Sequence, residues 1–395
     1  MNDFNSAYWK LTKFLQNFIG VWPYSSNSND KFKRIMIYMA MYSLAVPVVL
    51  KLIEEVESHI DIVIENVFGE LYILIVLMKY TMCIINSNKK IYKLIRKHWT
   101  MTTDNEELHI LKKFANVGRL LSITYAVFCF SVGGSFVIMP LIYPLLNYIS
   151  PLENTTRPLQ LPIYVQYYID PQKYYALLMI KICVTSMFSV VVCIAHDTAY
   201  IMCIYHTFSL FEIVILRLQR LADMCYDIET SKHSINFDYK VYHRIIKSID
   251  LHQSIIENIQ CIEKAFTINL FITVIANTAA TGGGLFVVFM KLSSPIDLVR
   301  YGLFVTVISV HKYFMFLPGQ TIINYSLLVF RLCYACRWYN FSLKCKILIQ
   351  IMMARSQQPC YLTGGKVFIL CLETYSALMK KGISFFTIFV SIQKK

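Results

Sequence analysis

Residues Tyr174 to Ile228 read YYALLMIKICVTSMFSVVVCIAHDTAYIMCIYHTFSLFEIVILRLQRLADMCYDI. The first part, to about Tyr205, is apolar enough to cross a bilayer and longer than a crossing needs, for which about twenty residues suffice. Beyond it, "HTFSLFEIVILRLQRLADMCYDI" keeps apolar residues at helical spacing while gaining Arg217 and Arg220. One helix is therefore predicted to cross the membrane and to project well past it at its C-terminal end. The composition agrees: 395 residues, 56% hydrophobic and 14% aromatic, with a mean hydropathy of +0.50, are too apolar for a soluble globular chain.

Outward from this stretch, comparable runs recur at Ile35 to Ile53, Asn66 to Ile85, Leu120 to Tyr143, Phe266 to Met290, Leu298 to Leu317 and Val367 to about Ile392. With the opening stretch as the fourth, the expected fold is an all-α membrane protein of seven transmembrane helices. "FDYKVYHRIIKSIDLHQSIIENIQCIEKAF" puts Tyr242, Ile245, Ile249, His252, Ile256, Ile259 and Ile262 on one face, which predicts a helix continuous with the fifth span. The segment after the sixth span extends that span and then starts another helix, stopped before Pro359. A helical bundle outside the membrane follows.

The net charge of +14 sits in alternate loops, with no basic stripe interleaved with aromatics, so it argues for membrane orientation and against nucleic acid. Lys10, Lys13, Lys31, Lys33 and Arg34 precede the first span; Lys89, Lys90, Lys93, Arg96 and Lys97 follow the second. Arg217, Arg220, Arg244 and Lys247 follow the fourth, and Arg331, Arg337, Lys344 and Arg355 the sixth. These loops share the cytosolic side, which predicts a cytosolic N-terminus, an extracellular C-terminus and a cytosolic anchor bundle. The expected organisation is a cytosolic segment over 1–34, spans one to four over 35–205 and helical extensions over 206–265. Spans five and six then occupy 266–317, the anchor region 318–366, and the last span with the C-terminus 367–395. Asn154 begins a glycosylation sequon in an outer loop. The twelve cysteines offer no extracellular disulfide framework, and the lone Cys333/Cys336 pair makes no metal site; no metal or other cofactor is expected.

The last span carries a stripe. Glu373, Ser376, Lys380, Ser384, Thr387 and Ser391 follow each other at steps of three or four, so they share one helix face. That face suits a bundle interior, a partner subunit or a water-filled path, because charge in lipid costs several kcal/mol. Lys181, His196 and Asp197 are ionisable groups in the fourth span; His196 and Asp197 are expected near its cytosolic end, within reach of water and making an interhelical hydrogen bond. No Ser-His-Asp, HExxH or paired-carboxylate arrangement has credible spacing, so an enzyme is not expected.

The run "WYNFSLKCKILIQIMMARSQQPCYLTGGKVFILCLETYSALMKKGISFFTIF", Trp338 to Phe389, resembles the signature region of the insect odorant receptor family. The carriers are a Trp-Tyr stretch before a short helix, an Arg-Ser-Gln-x-Pro segment, a small-residue turn, and Ser384-Phe385-Phe386-Thr387 in the last span. Gustatory receptors, the related family, fit less well, because Ile388 follows Thr387 and Lys394 follows Gln393. The resemblance implies an odorant-binding tuning subunit of a non-selective cation channel, working as a heterotetramer with a co-receptor subunit in the plasma membrane of olfactory neurons. It further implies that the last helix lines the pore.

On this reading the stripe faces the pore, and Ile388 and Val390 are candidates for an apolar gate. The odorant pocket implied by the family lies in the outer half of the membrane. Matching depth gives Phe68, Tyr72, Ser135, Phe136, Met139, Tyr175, Thr185, Phe188, Tyr301 and Phe304, each of which competes with an ordinary packing role. A G-protein-coupled receptor would need an outside N-terminus and its Asp-Arg-Tyr and Asn-Pro-x-x-Tyr signatures. A secondary transporter would need an internal repeat, and none is found.

Overall fold

The computed structural model describes residues 6–25, 29–55, 60–85, 88–149, 159, 161–163, 165–228, 235–292 and 295–393. The chain folds as helices almost throughout. A short α1 (Lys10–Phe18) is followed by α2 (Asp30–Glu55), α3 (Ile60–Ile85), α4 (Lys89–Met101), α5 (Asn105–Ile138) and α6 (Ile142–Ile149). Two very long helices come next, α7 (Tyr175–Ile228, 54 residues) and α8 (Ile235–Met290, 56 residues). Then come α9 (Pro295–Ala335), α10 (Leu343–Ser356), a ribbon of β1 (Thr363–Gly364) and β2 (Phe368–Ile369), and α11 (Leu372–Gln393).

Among the described residues, six helices are long and apolar enough to cross a membrane: α2, α3, α5, α7, α8 and α9. The seventh expected span forms α11, whose 22 residues give spanning length, about 33 Å at 1.5 Å per residue. Its lysines and row of hydroxyls keep it outside that apolar set. Two boundaries shift from the sequence expectation. The third span ends at Ile138 because Pro140 starts a tighter turn, Met139–Leu141, before α6. The last helix starts at Leu372, because the residues before it form the ribbon.

α7 is the centre of the molecule because its apolar residues surround it for most of its length. Ile182, Val192, Ile194, Ala199, Cys203, Phe211, Val214 and Leu221 are all fully or almost fully buried. Around it, a large core at the Lys- and Arg-rich end joins α4, α5, α7, α8, α9 and α10 through Tyr92, Ile95, Phe211, Ile262, Phe316 and Ile349. A second core joins α1, α2, α3, α5 and the middle of α7 through Leu15, Met41, Tyr80, Ala126 and Val192. The third, at the opposite end, holds Leu44, Val48, Ile73, Val165 and Ile182.

The basic end is pinned by polar contacts. Asp104 caps α5, accepting the Glu106 N–H at 2.8 Å, and pairs with Arg220 of α7 at 2.7 Å. That guanidinium hydrogen bond, aided by the Glu106 N–H, holds the Asp104 carboxyl below its usual range. Glu107 receives both Arg217 Nε at 2.7 Å and Nη2 at 2.8 Å. The ribbon turns at Gly365 and Lys366, with φ of +60° and +61°, and closes with Val367 N–H donating to Gly364 O at 3.0 Å. It is tied to α8 by Gly365 N–H to Thr267 O at 3.0 Å and Thr267 Oγ1 to Thr363 O at 2.9 Å.

Candidate functional site

Part of the expected ligand set converges. Phe68 of α3 and Phe304 of α9 approach to 6.2 Å between ring centroids, and both border the glycine run of α8. A side chain at Gly283 would collide with the Phe68 ring, and a Cβ at Gly284 would lie 2.7 Å from Val305 Cγ2, so the glycines permit this close approach. Tyr175, on the first turn of α7, has a buried hydroxyl without a partner.

The others are placed differently. Thr185 is buried, but its hydroxyl donates to Lys181 O at 2.6 Å, and Phe188 stacks on Phe18 at 6.3 Å within the second core. Tyr72 is 43% exposed, and Tyr301 lies under the Arg300 guanidinium at 5.4 Å. Ser135 opens onto a surface groove with Phe130, Ser131, Gly134, Ile138 and Ile142. The side chains of Phe136 and Met139 lie outside the described set, as does Asn154.

The α11 stripe stands on the free face of its helix. Glu373, Ser376, Lys380, Ser384, Thr387, Ile388 and Ser391 are exposed, and Val390 is half-buried. The opposite face is held by α8 and α9. Phe389 meets Phe286 at 5.6 Å, Phe386 meets Phe289 at 6.1 Å, and Tyr375 packs on Tyr313 at 5.6 Å. A Cβ at Gly282 would come within 2.7 Å of Gly382 O and of Phe385 Cβ, so α8 and α11 touch backbone to backbone there. The hydroxyls of Ser384, Thr387 and Ser391 donate to carbonyls of their own helix.

A polar hub forms around Asp197. Its carboxylate receives Lys79 Nζ of α3 at 2.8 and 2.7 Å, Tyr125 OH of α5 at 2.6 Å and lies 2.9 Å from His196 Nδ1. His196 Nε2 is 2.9 Å from Asn269 Nδ2 of α8, and His311 Nε2 of α9 stands 3.8 Å from Asp197. The other nitrogen of His311 is 3.2 Å from Asn277 Nδ2, again on α8. The hub joins five helices at one depth. The interhelical bonding expected of His196 and Asp197 is present; His196 is 4% exposed, whereas the Asp197 side chain keeps 16% of its surface open. Lys79 and His311 went unnoticed in the sequence, although a lysine inside a predicted span signals a buried partner. Lys181 stays apart from the hub, with its ammonium 4.0 Å from the Tyr167 ring centroid.

The chain was compared with known proteins. The family described as 7tm Odorant receptor matches residues 63–381. The fold is similar to that of the insect olfactory receptor OR5 from Machilis hrabei solved in complex with eugenol, with a TM-score of 0.73 and 15% identity, covering 98% of this chain and 100% of that one. A second structure of the Machilis hrabei OR5 matches with a TM-score of 0.68 and 14% identity, covering 97% of each chain. No curated protein matches the sequence.

Proposed function

Because this chain belongs to the 7tm odorant receptor family, we propose that it is the odorant-binding subunit of a non-selective cation channel gated together with a co-receptor subunit. The observation that carries the channel reading is α11. Its apolar face is buried on α8 and α9, while every member of its polar stripe is exposed. Four such helices around an axis would give a wettable wall with apolar Ile388 near one end as a constriction. Lys380 on that wall is awkward for cations, which favours assemblies in which other subunits supply part of the path.

The ligand reading rests on Phe68 and Phe304 meeting over the α8 glycines, an aromatic wall suited to a small, mostly apolar molecule. One of the structurally similar receptors holds eugenol, a ligand of that class. A ligand bound among α3, α8 and α9 opens the pore only if it binds the open state more tightly, and α8 and α9 are the helices that carry α11.

The test is whole-cell current from cells expressing this chain with and without a co-receptor, under odorant challenge with G-protein signalling blocked. The expected outcome is a fast cation current that needs both chains. Cysteines at Ser384 or Thr387 should then be blocked by water-soluble thiol reagents, and cysteines at Phe386 or Phe389 should not. A current abolished by the G-protein block, or equal modification of both faces, would reject the channel reading.

A further inference from the structure

α4 goes against two local rules for helices. Its sequence, KKIYKLIRKHWTM, carries five Lys and Arg residues and no acid. Lys89, Lys93 and Lys97 stand four residues apart, so neighbouring ammonium groups repel each other along the helix surface. Lys89 and Lys90 also occupy the first turn, at the positive end of the helix dipole, where acidic side chains are favoured. The other face explains why the helix forms all the same: Ile91, Tyr92, Leu94, Ile95 and His98 are buried. Lys89, Lys90, Lys93, Arg96 and Lys97 are all exposed on the side facing away from that packing. Lys90 pairs with Glu257 at 3.3 Å, and the next acids along the chain, Asp104 and Glu106, are held by Arg220. Lys89, Lys93 and Lys97 have no acidic partner among the described residues. α4 starts four residues past Ile85, where the second span ends. Its first turns therefore lie beside the headgroup layer, which extends about 5–7 Å beyond the hydrocarbon core on each side.

We propose that the exposed face of α4 binds the headgroup of a polyphosphorylated inositol lipid in the adjoining leaflet. This goes beyond the odorant-gated channel reading and does not depend on it; it rests only on the basic loops lying on the cytosolic side, where acidic lipids are concentrated. A cluster of four to eight Lys and Arg directly beyond a span is the pattern such lipids attract. Successive lysines of the face are about 6 Å apart along the helix, so several phosphates on one ring would sit between them and quench their mutual repulsion. A singly charged headgroup would reach one lysine at a time. Basic amphipathic helices also recruit calmodulin, but calmodulin takes the apolar face of its target, and the apolar face of α4 is buried.

The experiment uses the purified full-length chain in nanodiscs of phosphatidylcholine alone, with phosphatidylinositol bisphosphate, or with phosphatidylserine at equal total charge. It reads the thermal midpoint and the affinity for a fluorescent dioctanoyl phosphatidylinositol bisphosphate. The bisphosphate lipid should raise the midpoint, and phosphatidylserine should not. Combining Lys89→Gln, Lys93→Gln and Lys97→Gln should weaken lipid binding by about tenfold or more. Combining Lys240→Gln, Lys247→Gln and Lys344→Gln, which removes as many exposed charges from α8 and α10, should change it by less than about twofold. In phosphatidylcholine alone the α4 triple variant should melt no lower than the native chain, because repulsion is relieved. If it does melt lower, Lys93→Gln by itself is read instead, with a loss of about threefold. Equal weakening by the two triple variants, an equal effect of phosphatidylserine, or free inositol trisphosphate binding as tightly as the lipid would overturn the proposal. Capture of the native chain by calcium-loaded calmodulin, lost in the α4 variant, would overturn it in favour of a protein partner.

Discussion

Asp197 and Lys79 are worth more as a pair than either is alone. With the partner gone, the survivor is a charge held among helices, a loss of about 3–5 kcal/mol, whereas removing both can be nearly neutral. Asp197→Asn and Lys79→Met should each depress the thermal midpoint strongly, and the double variant should recover most of the loss; additive losses in the cycle would contradict the pairing. Lys312 is the contrasting case. It is fully buried on α9 and, among the described residues, reaches Thr281 Oγ1 at 3.3 Å and Met379 Sδ at 3.6 Å, neither of them acidic. Lys312→Met keeps length and sheds the charge, so it should raise the midpoint, and a lower one would show that the ammonium is better solvated than its contacts suggest. At the basic end, burial pushes both His98 and His252 down to about 4. The unfolded chain binds these protons from about pH 6.5 downward while the folded chain does not. Their contribution is thus complete above that pH and is lost progressively between 6.5 and 4, by as much as about 3 kcal/mol each. Lowering the pH from 7 to 5 should therefore lower the midpoint, and His98→Gln should flatten the curve. At this scale the sequence offered two of the hub's seven residues. His196 and Asp197 stand out as polar residues in an apolar run, but their partners on α3, α5, α8 and α9 are fixed by packing that no local pattern records.

Among the elements, the junction of α8 and α11 depends on one missing side chain. A Cβ at Gly282 would crowd the backbone of α11, so Gly282→Val should push that helix away and alter closed-channel leak more than protein yield. Leak unchanged in recordings with the co-receptor, at equal surface expression, would mean that α11 is seated elsewhere. The long elements were legible because their signals are long. The run through Arg217 and Arg220 predicted a helix past the membrane, and α7 indeed continues to Ile228. The face from Ile245 to Ile262 likewise belongs to α8, with Ile245, Ile259 and Ile262 buried. Short elements were not. α1 depends on Trp9 and Leu15 docking into cores made by distant segments, and the ribbon depends on two left-handed residues, one of them Lys366, which no propensity would nominate. The ligand set shows the same limit. Depth along a helix could be read from sequence, but which way Ser135 or Phe188 faces is decided by neighbouring helices.

For the molecule as a whole, the alternation of basic loops predicts that an epitope at the C-terminus is stained on intact cells and one at the N-terminus only after permeabilisation. The reverse pattern would move the candidate pocket to the other side of the membrane. The three cores differ in character along the molecule. The large one at the basic end ties six helices together, while the one around Ile73 and Ile182 is small. Ligand-induced change is easier at the smaller core, where fewer contacts must be remade. α7 runs through all three cores. At 54 residues it is about 80 Å long, and if it moves as a rigid rod the Asp197 hub that grips it is its fulcrum. About 45 Å separates that fulcrum from the far tip, so a tilt of only about 5° sweeps the tip through about 4 Å, comparable to one helical pitch. The arm on the other side, from Asp197 back to Tyr175, is about 33 Å, so a shift of about 1 Å there moves the far tip by only about 1.4 Å, and the rod would relay a displacement across the molecule rather than magnify it.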